Sequence, residues 1–176
     1  MLLCLVGSEM CIRDRQIIVA LGESKMLLGR YVAKNSDIGV GDRIYVGVDN
    51  ARRVDVGEII GMARIDLLSN AATSDLPLIM QIFIEENSKH FIDAFFNRAG
   101  PISLKQHAFE LLPGIGNKKA MQMVEQRGSS GFSDIEQLNE TCNIDSCELL
   151  AKRFVNEIED KTLQPRLSEL LFPVTA

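Results

Sequence analysis

The 176-residue chain has no tryptophan, two tyrosines and two histidines, and its 24 acids outnumber its 19 bases. Each shortage removes a class of function. With aromatics at 6%, little flat surface is left on which nucleobases can stack, so broad single-strand recognition by stacking has weak support. A net charge of −5 and a pI near 5.1 exclude a generally basic, sticky protein; any grip on nucleic acid must be local. His90 and His107 have no serine or cysteine arrangement around them that would build a triad. The acids are scattered rather than paired for metal-dependent phosphodiester chemistry. No catalytic residues and no metal ligands are therefore predicted. The apolar run at residues 2–6 is too short to cross a membrane and lacks the basic start and small-residue cleavage site of a signal peptide. The expectation is a cytoplasmic protein with no membrane partner. Four cysteines do not make a disulfide framework: Cys142 and Cys147 have four residues between them and no neighbouring histidine, which predicts buried free thiols rather than zinc.

What is present is a hydrophobic content of 46%, enough for one ordinary domain or two small ones. The first 15 residues are set apart, because residues 4–15 look like translated read-through of a sequencing adaptor. They are expected to be disordered or accommodated by accident, with the true N-terminus lost. From Gln16 the pattern has period two. Apolar runs at 17–21, 26–34, 43–48 and 54–65, with Gly57 and Gly61 as bulges, predict a small barrel of the OB kind over residues 16–74. Gly39 and Gly41 mark a hairpin turn rather than a dinucleotide fingerprint. Arg30, Lys34, Arg43, Arg52, Arg53 and Arg64 offer a basic face, with Tyr31 or Tyr45 as a stacking platform, although this region holds eight acids against seven bases. Arg52 and Arg53 are the best basic candidates there.

Beyond Asp66 the period becomes 3.6. Connecting helices are expected over residues 75–100, the first capped by Asp75 with Pro77 in its first turn, and Phe91, Ile92, Phe95 and Phe96 are assigned to the core. Residues 101–176 are predicted all helical, with helices at about 103–112, 118–127, 133–138 and 146–158, the third capped by Ser133 or Asp134, and a tail at 167–172 that docks back. The fold class is thus α+β. The bend between the first two of these helices carries the chemistry. Pro113 stops one helix, Gly114 and Gly116 bare the backbone amides, Ile115 points inward, Asn117 caps the next helix, and Lys118 and Lys119 add charge. Residues 101–128 hold four bases against two acids, whereas 129–176 hold four against nine, so the bend is the basic island. The later turn around residues 142–146 lacks both glycines and carries Asp145, so that half is expected to be structural. His107 is expected to cap or pack beside the bend.

The stretch resembles a helix-hairpin-helix motif, which holds a nucleic-acid backbone without reading bases, in some proteins with a bridging monovalent cation. From about Lys25 to Phe172 the chain further resembles an uncharacterised family of archaeal proteins predicted to bind RNA, on residues 41–47, 95–102, 107–116 and the closing Leu171 and Phe172. The resemblance implies an OB-like barrel followed by a helix-hairpin-helix domain, no enzymatic activity, and a place in translation or ribosome maturation. Two departures stand out: the barrel's first strand is replaced by the adaptor-like segment, and Asn117 sits where a third basic residue is usual. The expected partner is nucleic acid, RNA ahead of DNA, with no cofactor required. The competing expectation is a protein-interaction module on a ribosomal or transcription complex.

Overall fold

Backbone pairing, which is indifferent to where a side chain came from, shapes the first half of the chain. The computed structural model describes residues 2–12, 15–35 and 37–174. It is an α+β structure with a small open sheet, and it divides into two compact units, Met1–Ile79 with Ile158–Thr162, and Met80–Glu157 with Leu163–Ala176.

In the first unit, β1 (Leu2–Ile12), β2 (Arg15–Gly22), β3 (Leu28–Ala33), β4 (Arg43–Ile44) and β5 (Val56–Met62) form an antiparallel sheet in the order β4-β1-β2-β3-β5. The adaptor-like residues are not left out. Leu2 to Ile12 lie between β4 and β2, pairing Leu5 with Val19 and Leu2 with both Gly22 and Ile44. Residues 1, 13 and 14 fall outside the described part.

Among the described residues β5 pairs with β3 and β4 with β1, so the sheet stays open where a closed barrel was expected. The predicted strand at 43–48 shrinks to two residues, and beyond it the Tyr45 ring lies over Gly47, where even a Cβ would collide with it. Register shifts opposite Arg30, Tyr31 and Ala33 put irregularities within β5 between Val56 and Gly61, in keeping with glycine bulges. Ile18 and Ala20 alternate onto the face shared with Tyr31, Ile38, Ile44 and Val56, a cluster of buried side chains. Tyr31, at 8% exposure, therefore cannot stack on a base.

Helix α1 (Asn70–Glu86) begins five residues before Asp75: the Ser69 hydroxyl accepts from the Ala72 N–H at 3.2 Å. Pro77 thus lies inside the helix, with its missing N–H leaving one gap in the ladder.

The second unit is built on phenylalanine. After α2 (Ser88–Phe91) a π-helical stretch, Ile92–Phe96, brings Phe95 and Phe96 to a 5.0 Å centroid separation and both against Phe109. Phe91, Phe154 and Phe172 make a second cluster, with Phe154 and Phe172 5.3 Å apart. The helix expected from Ser103 to Leu112 does not form. Instead a two-stranded hairpin, β6 (Pro101–Ser103) and β7 (Gln106–His107), leads into one 3-10 turn, Ala108–Leu111. Pro101 removes a donor at the start, and residues 101–106 are all exposed, so no apolar face exists to hold a helix there. Helices α3 (Asn117–Arg127), α4 (Ile135–Cys142), α5 (Ser146–Glu159) and α6 (Leu167–Leu171) follow. The expected Asp134 cap is present, accepting from Gln137 N–H at 2.8 Å. Gly131 (φ +76°) is required, since a Cβ there would lie 2.9 Å from Asn97 Oδ1, and Asn97 clamps Phe132 through both its amide atoms at 2.7 and 3.0 Å.

The tail docks as expected, and a buried carboxylate holds it. Glu157 is fully buried, pairs with Arg153 at 2.9 Å, and accepts from the N–H groups of Leu167 and Ser168 at 2.8 and 2.9 Å, so α5 caps α6. Arg153 also donates to Pro165 O at 2.7 Å, and His90 Nε2 lies 2.8 Å from Leu171 O. Replacing Glu157 by Ala strands the buried Arg153, which is expected to cost about 3–5 kcal/mol. Differential scanning calorimetry should then show a fall in melting temperature of roughly 10 °C; a change below about 2 °C would show that the network contributes little.

Candidate nucleic-acid interface

The bend after the 3-10 turn is held from inside. Leu112 and Ile115 are buried, and Ile115 N–H donates to Leu112 O at 3.1 Å, closing the turn around Pro113 and Gly114. Gly114 adopts φ +81°, a conformation that favours glycine. Gly114 and Gly116 are both exposed, and a Cβ at either would meet nothing within 4 Å, so their outer faces open to solvent. Gly116, not Asn117, is the N-cap of α3, and no side chain accepts from the first-turn amides there. Asn117 occupies the first helical position with its side chain turned toward Glu110, Nδ2 3.4 Å from Oε1. The same Glu110 oxygen accepts from His107 N–H at 2.8 Å while His107 Nδ1 accepts from Phe109 N–H at 3.1 Å, a reciprocal cap on the 3-10 turn. His107 therefore caps the entry to the bend, as expected. Burial first, then the nearby Arg127 guanidinium, holds its imidazole below the ordinary range, against the opposing pull of Glu110 and the Ala99 carbonyl.

The two lysines part company. Lys118 is exposed and has no hydrogen-bond or ion-pair partner among the described residues. Lys119 is turned inward, its ammonium donating to Cys142 O at the last residue of α4. It complements the negative end of that helix and is not a free ligand for an anion. At the other end of α3, Arg127 donates to Ala99 O and Phe96 O at 2.6 and 3.1 Å and lies over the Phe109 ring at 5.5 Å. Its role was not foreseen, though its last-turn position was the available signal. Cys142 and Cys147 are buried free thiols, with burial pushing Cys147 up to about 12.

Arg52 and Arg53 belong to the first unit and make a separate arrangement. Arg52 is exposed and stacks on the Tyr45 ring at 4.4 Å, while Arg53 donates to Gly47 O at 2.5 Å and helps hold the loop. Among the described residues no three His, Cys, Asp or Glu side chains gather as a metal site would need, and no helix is long and apolar enough to cross a membrane.

The chain is similar to archaeal proteins. The profile of a family described as "Protein of unknown function (DUF655)" matches residues 6–167. An uncharacterized protein of Methanocaldococcus jannaschii is 29% identical over 148 residues, which span 84% of this chain and 67% of that protein. The crystal structure of Af1531 from Archaeoglobus fulgidus, described with the same family, superposes with a TM-score of 0.83 at 24% identity, over 94% of this chain and 97% of that one.

Two measurements check the assignments above. Lys119→Met should lower stability by about 1–2 kcal/mol in urea denaturation, because Cys142 O and the end of α4 lose their cation. Lys118→Met should change it by less than about 0.5 kcal/mol. Because folded His107 titrates below the free imidazole, the unfolded chain takes up the proton first. Its contribution is complete above roughly pH 6.5 and is lost as pH falls through that value toward the lower folded pKa. In His107→Gln this part of the stability–pH curve should flatten; an unaltered slope would show that His107 does not carry it.

Proposed function

Because the chain belongs to the DUF655 family, whose function is unknown, we propose from its geometry that it is a non-catalytic module holding the sugar-phosphate backbone of a nucleic acid. The observation that carries this reading is the conjunction at one bend of two open-faced glycines, uncapped first-turn amides of an 11-residue helix, and the unpaired Lys118. Bare amides and one ammonium recognise a phosphate but carry no base information, so the contact positions without specifying sequence. The bend with its single preceding 3-10 turn reads as an abbreviated helix-hairpin-helix, and the five strands as an OB-like barrel left open. Arg52 on Tyr45 supplies a weaker second contact in the other unit. The resemblance to proteins grouped with translation and ribosome maturation favours RNA over DNA and supports a cytoplasmic location. A monovalent cation between the bend and a phosphate is compatible with this geometry. Glu110, whose carboxylate reaches Asn117, works against the anion and limits affinity.

Fluorescence anisotropy with single-stranded and structured RNA and DNA over a salt series tests the reading. With one or two phosphates engaged, log K against log salt should fall with a slope of about −0.7 to −1.4 on single strands. Lys118→Glu should weaken binding at least about tenfold, a full reversal of charge beside the phosphate, and Glu110→Gln should tighten it a few-fold. Binding that ignores salt, or that survives Lys118→Glu unchanged, sinks the proposal.

A further inference from the structure

Away from the amides of the bend, the second unit carries an open groove of about 290 Å³ whose walls include Phe95, Pro101, Leu111 and Leu171. A single charged side chain lines it, that of Arg98. Arg98 is exposed, and its guanidinium has no hydrogen bond or ion pair among the described residues. The acid on α6, Glu169, is paired with Arg166 at 3.0 Å. Two of the lining residues are themselves open to solvent, Ile102 at 43% and Leu170 at 70%, and Leu104, two residues beyond Ile102 at the turn between β6 and β7, is wholly exposed with Lys105 beside it.

Scattered apolar residues on a surface need no explanation, but a contiguous set around a groove marks an interaction site. The groove lies just below the ~300–1,000 Å³ of pockets that bury a small molecule, and the apolar surface runs on outside it. That shape suits two or three side chains of a larger partner seated in the groove while neighbours cover the rim. An exposed guanidinium lining a groove of apolar side chains, with its donors unpaired among the described residues, is matched by a carboxylate, to which it can bond bidentately.

We propose that this groove docks a segment of a partner protein in which apolar side chains flank one acidic residue, the carboxylate pairing with Arg98 and the apolar side chains packing against Phe95, Ile102 and Leu104. The lining includes none of residues 113–119, so the docking reading does not depend on a phosphate contact at Lys118.

The test is selection from a displayed library of random 16-residue peptides on the immobilised full-length chain, followed by anisotropy of the enriched peptides. Enriched sequences should share an Asp or Glu flanked by Leu, Ile, Phe or Met. Arg98→Glu should weaken the best peptide at least tenfold and Leu104→Asp several-fold, while Lys118→Glu leaves it within twofold. Arg98 and Leu104 are both exposed, so circular dichroism melts of the two variants should overlay the parent. Failure to enrich any peptide, enrichment without the acidic residue, or indifference to both groove variants overturns the proposal. So does sedimentation showing that Leu104→Asp breaks up a dimer of the chain itself, since the occupant would then be a second copy.

Discussion

Helix α3 is pinned at both ends by cations that donate to backbone carbonyls, and the bend before it depends on that restraint. Lys119 reaches the end of α4 through Cys142 O, and Arg127 reaches the end of the π-helical stretch through Phe96 O and Ala99 O. Each supplies a donor where a helix leaves carbonyls without partners. With both ends fixed, the glycines preceding α3 need no side chain to shape them, and the amides can stay bare. A basic stretch that looks in sequence like a pair of phosphate ligands thus divides its labour: one lysine shapes the fold and its neighbour remains available.

How much of this was legible in the sequence follows from what each signal measures. The apolar run at 17–21 marked the buried heart of β2 and periodicity marked the helices α3 to α5, because apolar spacing reports burial directly. The turn chemistry was legible as well: Gly114 takes the positive φ that its place after Pro113 demands, and Asp134 caps α4. The stretch from Ser103 to Leu112 was misread because Leu104, Ala108 and Leu112 have helical spacing, while the decisive facts were the proline at 101 and the lack of anything for Leu104 to pack against. Barrel closure depends on pairing between distant strands, which local pattern does not encode, and the pairing of residues 2–12 rests on backbone groups that every sequence has.

At the candidate site the positions were found and their roles were not. Gly116 rather than Asn117 caps α3, since a glycine leaves the amides free while the asparagine side chain turns toward Glu110. Nothing in the run Asn117, Lys118, Lys119 tells which lysine will meet a carbonyl 23 residues away. Arg98 carried no signal at all, because an arginine after a phenylalanine-rich stretch is ordinary, and only the groove around it makes its lack of a partner meaningful.

The dependence of α6 on a carboxylate from α5 reaches past that one contact. Five residues are too few for a free-standing helix, and here its opening amides are satisfied by Glu157 from inside the protein. The segment has no local equilibrium of its own. Its amide protons should exchange in step with those of α5 rather than as those of a fraying end.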